Sequence, residues 1–257
     1  MRILITGASK GIGRGTALRL AGPGIALALC GSRASPELTT IVSECAARGA
    51  RVVAAAGDLG DPAVPARLVA EAAVQMGGID AVISNAGIVA PSRIADLELD
   101  GWDRIFAVNT RSAFLLAKAA YPHLKASRGA YVAVASMSGV EPYAGTGAYS
   151  ASKAALIMLV RQLAQEWAAA GIRVNAISPG MIRTAMTAPI YADADKTAAR
   201  EALVPMHRIG TPDDIAGIAA FLISPAADYV TGQNILADGG LLGSIQSNIA
   251  GRPKSGG

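Results

Sequence analysis

The chain has 257 residues, 52% of them hydrophobic and 16% charged, with a net charge of +4 at pH 7. That composition suits a large buried core and excludes a disordered chain, and apolar runs such as Ala154–Val160 fall far short of the roughly 20 residues a membrane-spanning helix needs. The excess of Lys and Arg is scattered, without a basic helix or an aromatic-interleaved run, so neither nucleic acid nor membrane is an expected partner.

A first strand is predicted over Arg2–Thr6, leaving no room for a signal peptide before it. The turn that follows, Thr6–Gly13, carries Gly7, Gly11 and Gly13 together with Ser9, Lys10 and Ile12. Further strands are predicted over Ile25–Cys30, Arg51–Ala56, Ala81–Ser84, Ala130–Ser136, Arg173–Ser178 and Asn234–Ala237. Helices are expected over Gly13–Ala21, Pro36–Arg48, Pro62–Met76, Gly101–His123 and Ala148–Ala170. Strands alternating with helices predict an α/β fold: one doubly wound parallel sheet of about seven strands, with helices on both faces. The strands are apolar without alternation, as expected of strands buried on both sides. Ala185–Met206 is too long for an ordinary connection and reads as a loop placed to act as a lid. One domain is expected over 1–243, with a tail over 244–257 whose Gly251–Gly257 end is expected to be mobile. Cys30 and Cys45 have neither metal-ligand spacing nor a disulfide framework, so no metal is expected. Cys30 ends an apolar run and reads as a buried free thiol of a reducing cytoplasm.

Two patterns carry chemistry. A glycine-rich turn between strand and helix leaves backbone N–H groups free to face an anion, and glycine lets the main chain approach a pyrophosphate with no Cβ in the way. Tyr149 and Lys153, four apart on a predicted helix, share one face. A nearby ammonium would stabilise the phenolate and lower the phenol pKa from about 10 towards neutrality. Thirteen residues upstream, Ser136 ends the predicted fifth strand, at the rim where such sheets build sites.

These residues, with Asp58-Leu59, Asn85-Ala86-Gly87, Asn109, Pro179-Gly180 and Thr184 in consecutive order, resemble the single-domain short-chain dehydrogenase/reductase family with its Tyr-x-x-x-Lys site. The resemblance runs from Arg2 to about Gly240 and implies a Rossmann-type fold. It implies that Tyr149 exchanges the proton on the substrate oxygen, that Ser136 orients the carbonyl, and that Lys153 holds the nicotinamide ribose and depresses the tyrosine pKa. Asn109 would hold a water linking Lys153 to solvent, although its residue type and place also suit a helix-interior amide satisfied locally. Asp58 would meet the adenine ring, with Asp61 capping the following helix and leaving Asp58 free. The cofactor would lie along Gly7, Ser9, Lys10, Gly11, Ile12, Gly13, Ser32, Arg33, Asp58, Leu59, Asn85, Ala86, Gly87, Tyr149, Lys153, Pro179, Gly180, Ile182 and Thr184. Ser84 departs from the asparagine common in the family; its hydroxyl can still bond the backbone. His123 and His207 lie outside these motifs.

The second strand ends at Gly31, so no carboxylate stands there to repel a phosphate. Ser32 and Arg33 follow, and Lys10 lies in the glycine turn; together they would form a pocket for the 2′-phosphate of NADP(H), with Arg14 solvated beyond it. The expected activity is NADP-dependent interconversion of a small-molecule carbonyl and a secondary alcohol. The family resemblance implies a 3-oxoacyl thioester first, and mostly apolar candidates for the substrate side (Met137, Val140, Tyr143 and Met181) favour an acyl or hydrophobic ketone, with Arg93 and Arg111 as candidate contacts for an acyl carrier protein. A sugar or polyol is the alternative. A catalytically silent NADP-binding sensor would lack Tyr149, Lys153 or Ser136, and all three are present. The family implies a homotetramer, consistent with apolar residues on more than one face of the two long predicted helices.

Overall fold

Branched and small apolar residues fill strands that pair only in the parallel sense. They are β1 (Arg2–Thr6), β2 (Ala26–Gly31), β3 (Arg51–Ala56), β4 (Ala81–Ser84), β5 (Ala130–Val134), β6 (Arg173–Pro179) and β7 (Asn234–Ala237). The computed structural model describes residues 1–185 and 187–244. Within them the strands form one sheet in the order β3-β2-β1-β4-β5-β6-β7. The α/β, doubly wound, Rossmann-type fold is therefore present. The chain winds outward from β1 to β3, then returns to lay β4 on the other side of β1. That reversal opens a crevice beyond the carboxyl ends of β1 and β4.

The helices are α1 (Gly11–Leu20), α2 (Pro36–Ala47), α3 (Val64–Met76), α4 (Leu99–Phe106), α5 (Ser112–Ser127), α6 (Tyr149–Trp167), α7 (Ala188–Tyr191), α8 (Ala194–Leu203) and α9 (Pro212–Ile223). Successive strand residues point to opposite faces. Leu4 joins a core with Leu68 of α3, Leu116 of α5 and Val160 of α6, while Ile3 and Ile5 join one with Ala17 of α1, Ile41 of α2 and Ile215 of α9. Each fully buried Leu, Ile or Val among them contributes roughly 1.5–3 kcal/mol. The central strands are buried along their length, but β3, at the sheet edge, is not, and its Arg51 is exposed.

Several expectations change. The helix predicted over Gly101–His123 is interrupted: at Ala107–Arg111 the turn widens, Ser112 N–H bonding Ala107 O five residues back, and the helix resumes as α5. Such bulges recur at functional sites. The segment Ala185–Met206 is no open loop, because Pro189 opens α7 and the Asp193 carboxylate caps α8 at Lys196 N–H. Asp58 is not free, since it accepts from Gly60 N–H at 2.9 Å and pairs with Arg104 at 2.9 Å. Asp61 accepts from Ala63 N–H in the turn before α3, which begins at Val64 with Ala63 at its N-cap and no side-chain cap, so Asp61 does not cap the helix as expected. Ser136 lies two residues beyond the end of β5, where its hydroxyl accepts from Ser138 N–H. Of the expected tail, Ser244 is buried, and 245–257 lie outside the described residues.

Candidate active site

The glycine turn is held from below by the start of the loop after β4. The Thr6 hydroxyl accepts from the N–H groups of Asn85 and Ala86, and the Asn85 amide donates to Thr6 O and Gly7 O. Gly7 and Gly11 adopt φ of 64° and 56°, which side chains disfavour. Gly13 has a different reason: a Cβ there would stand 2.2 Å from Gly7 O and 2.5 Å from the Asn85 amide nitrogen. It permits α1 to pack on its own turn, instead of clearing space for a ligand. α1 starts with no side-chain cap and no acidic residue in its first turn, so its N–H groups stay available for an anion.

Beside this turn lie two cavities of about 390 and 670 Å³ sharing Gly7, Lys10, Ala86, Gly87 and Ile88 as walls. The smaller carries Ser9, Ser32, Arg33, Asp58 and Leu59; the larger carries Gly11, Ile12, Asn85, Ser136, Tyr149, Lys153, Pro179, Gly180, Ile182 and Thr184. Nearly every residue singled out from the sequence thus faces one crevice. Gly13 and Asn109 do not line it, and of the apolar substrate-side candidates Met137, Tyr143 and Met181 do, whereas Val140 does not.

The electrostatics of the smaller cavity differ from expectation. Lys10 and Arg33 share its wall with Glu37, a carboxylate absent from the sequence-level pocket. Glu37 meets Lys10 at 2.8 Å, and that contact, with its own backbone N–H, lowers its carboxyl pKa to about 2. Ser35 caps α2 and Pro36 starts it, so Glu37 sits where a helix favours an acid. That structural role hides its second position, which only the approach of α2 to the turn creates. Arg14, expected to be solvated, pairs with Glu44.

Tyr149 opens α6 and Lys153 follows one turn later. The Lys153 ammonium is buried, donates to Val134 O at 2.8 Å, and stands 5.9 Å from the Tyr149 ring centroid. Burial lowers the Lys153 pKa to about 8. The phenol of Tyr149 is raised, not lowered: desolvation outweighs its hydrogen bond to Ser136, and the Tyr143 charge adds to the rise. A cation desolvated this strongly and turned towards a carbonyl gives the phenolate little help within the protein alone. Gly139 lets the turn carrying Ser136 meet α6, because a Cβ would come within 2.7 Å of Lys153 C.

Asn109 occupies the widened turn, where Oδ1 accepts from Ile88 N–H at 2.8 Å and Nδ2 donates to Ile88 O and the Ser152 hydroxyl, each at 3.0 Å. The side chain is satisfied across elements, by the loop after β4 and by α6, not locally along its helix. Ser84 is buried beside the Tyr131 phenol, whose O–H donates to Ala113 O at 2.9 Å. Sequence reasoning missed Glu37, Arg104, Gly139, Tyr191 and Arg200; the last two line the larger cavity from α7 and α8, elements the sequence pattern did not reveal. Cys30 is a buried free thiol, its pKa pushed up to about 12 by burial.

A family model described as enoyl-(acyl carrier protein) reductase matches residues 7–242. L-rhamnose 1-dehydrogenase (NAD(P)(+)) of Sphingomonas sp. (strain SKA58) is 35% identical over 246 residues, covering 95% of this chain and 97% of that protein. The 3-oxoacyl-[acyl-carrier-protein] reductase of Synechocystis sp. (strain ATCC 27184 / PCC 6803 / Kazusa) is 32% identical over 241 residues, 93% of this chain and 96% of that one. A crystal structure from Beutenbergia cavernae, of a candidate NAD(P)-dependent gluconate 5-dehydrogenase with bound NADP at low occupancy, superposes with a TM-score of 0.87 at 35% identity, covering 94% of this chain and 96% of the other. Matched almost end to end by a family model and by dehydrogenases and reductases, on a seven-stranded parallel sheet, this chain belongs to the short-chain dehydrogenase/reductase family of oxidoreductases.

Proposed function

We propose that this protein is an NADP(H)-dependent enzyme that interconverts a carbonyl and a secondary alcohol. The observation that carries the reading is the convergence of Tyr149, Ser136 and Lys153 on a cavity continuous with the glycine turn. The donor set suits a 2′-phosphorylated dinucleotide: uncapped N–H groups of α1, the hydroxyls of Ser9, Ser32 and Ser35, and the cations of Lys10 and Arg33. Relatives that use NAD(P) or bind NADP support the same choice. When bound, the cofactor supplies or accepts the hydride.

The protein's residues manage the proton and the carbonyl. Burial keeps the Tyr149 phenol protonated at neutral pH, the form that donates to a substrate oxygen during reduction. Ser136 bonds that oxygen and stabilises its developing charge. Lys153 would hold the nicotinamide ribose, and a sugar in contact with its ammonium would draw it away from Val134 O. Asn109 holds the loop after β4 to α6, and its main chain, in a turn with a shifted hydrogen-bond pattern, can hold the relay water. With Tyr149, Ser136 and Lys153 all present, a catalytically silent sensor is the weaker reading.

Two substrate classes have support. Met137, Met181 and Ile190 suit a 3-oxoacyl thioester, as does the Synechocystis relative. Arg200 in the same wall suits a sugar acid or another polar substrate, as do the rhamnose and gluconate dehydrogenases. The reading extends to a cytoplasmic homotetramer: both cysteines are buried free thiols, and Trp102, Phe114 and Met158 leave α4, α5 and α6 with exposed apolar surface. Among the described residues no helix is long and apolar enough to cross a membrane. NADPH oxidation against panels of ketones, 3-oxoacyl thioesters and sugars tests the activity. Tyr149→Phe is expected to abolish turnover while NADPH still binds, and retained turnover would remove Tyr149 from the mechanism.

A further inference from the structure

The larger cavity has no carboxylate in its wall. Its cations are Lys10, Lys153 and Arg200. Lys10 is paired with Glu37, and Lys153 is committed to Val134 O. Arg200, on α8, has no carboxylate partner among the described residues. Its guanidinium lies 5.7 Å from the ring centroid of Tyr191, a ring only 7% exposed, and that of Arg183 lies 5.0 Å from the same centroid. Arg183 is exposed and does not line the cavity, so Arg200, half-buried in the wall, is the cation this end presents to an incoming ligand. An anion entering the cavity would find its guanidinium unpaired by any carboxylate of the described residues.

We propose that Arg200, seated on Tyr191, receives the carboxylate of a small oxo acid whose carbonyl is presented to Tyr149 and Ser136. The proposal rests on the reading of that site as a carbonyl reductase. A guanidinium offers two parallel N–H donors that match a carboxylate, and the Tyr191 face restricts the plane in which they lie. Met181 and Ile190 add apolar surface to the same cavity, and an ion pair formed beside apolar surface is stronger than one in open water. The reaction remains reduction of the carbonyl by one hydride and one proton to a hydroxy acid; the carboxylate is not consumed.

The test uses acetoacetate and levulinate beside their methyl esters and the N-acetylcysteamine thioester of acetoacetate, with wild type, Arg200→Met and Arg200→Lys. The wild type is expected to favour each acid over its ester in kcat/KM by roughly 10-fold or more. Arg200→Met is expected to lose roughly 10- to 100-fold on the acids, mainly through KM, with the esters little changed and NADPH affinity, followed by its fluorescence, intact. Arg200→Lys restores part of the loss on the acids, which a merely structural role for the arginine would not do selectively. Equal use of acid and ester, or preference for the thioester, overturns the proposal while leaving the carbonyl-reductase reading in place. Weakened NADPH binding in Arg200→Met with unchanged acid preference also overturns it, making Arg200 a cofactor clamp. Quenching of bound NADPH by the acids without turnover, lost in Arg200→Met, upholds the carboxylate site and overturns the reductase reading instead.

Discussion

Lys153 is expected to destabilise the very fold that positions it. Its pKa falls from 10.5 to about 8 because burial penalises the ammonium. The unfolded chain keeps that proton up to about pH 10.4, whereas the folded protein releases it near pH 8. Between these values the unfolded state binds more protons, so stability rises with pH across that window; below pH 8 both states are protonated and the whole penalty is present. At 1.36 kcal/mol per unit, the penalty at neutral pH is about 3 kcal/mol. Lys153→Met keeps the linear side chain, removes the buried charge and gives up one charge-assisted hydrogen bond to Val134 O, worth roughly 1.5–3 kcal/mol. The substitution should therefore stabilise the cofactor-free protein by about 1 kcal/mol at pH 7, roughly 2–4 °C in Tm, while eliminating turnover. Urea unfolding of both proteins at pH 7 and pH 10 checks this, since other titrating groups cancel in the difference. The advantage should shrink at pH 10. A variant less stable than wild type at pH 7, or an advantage that does not change with pH, would refute the reasoning.

Gly13→Ala and Gly11→Ala separate packing from backbone strain. A Cβ at Gly13 meets the immobile Gly7 O at 2.2 Å, whereas one at Gly11 meets only the Thr184 methyl group at 3.4 Å and must tolerate a φ of 56°. Gly13→Ala should cost about 3 kcal/mol or more and weaken NADPH binding at least tenfold; Gly11→Ala should cost about 1 kcal/mol. Denaturant midpoints and NADPH titration would report the difference, and equal losses would argue against it. Glu37→Gln frees Lys10 and removes a charge from the proposed 2′-phosphate pocket, so the NADPH-to-NADH affinity ratio should rise about three- to tenfold, more at low salt. A fall in that ratio in fluorescence titrations would place the phosphate elsewhere. Because the Tyr149 phenol is raised, carbonyl reduction should hold roughly constant from about pH 6 to 8, while alcohol oxidation, which needs the phenolate, should climb throughout that range. An oxidation rate independent of pH would show that Tyr149 is already ionised.

The alternation of strand and helix, and with it the doubly wound sheet, was legible because buried parallel strands must be continuously apolar. The predicted bounds of β1, β3, β4 and β7 match the structure. The glycine turn was legible because Gly7 and Gly11 are local requirements, set by a left-handed φ that few other residues accept. Tyr149, Lys153 and Ser136 were legible through spacing and through the family resemblance. Elements whose reason for existing lies elsewhere in the molecule were harder to read. The widened turn at Ala107–Arg111 holds Asn109 where it reaches across to Ile88 and Ser152, partners far away in sequence, and α8 reads locally as a polar helix with little to bury.

Charge and proximity divide in the same way. The sequence by itself determined the residue types gathered along the crevice, because strand periodicity, glycine placement and helical spacing act over a few residues. Only the tertiary structure decided what those groups do to one another. It brings Glu37 onto Lys10 from a separate helix, raises the Tyr149 phenol where proximity to Lys153 alone predicted a fall, and carries Arg200 to the wall of the cavity. Desolvation and long-range pairing depend on what packs around a group, and that packing is a property of the folded chain as a whole.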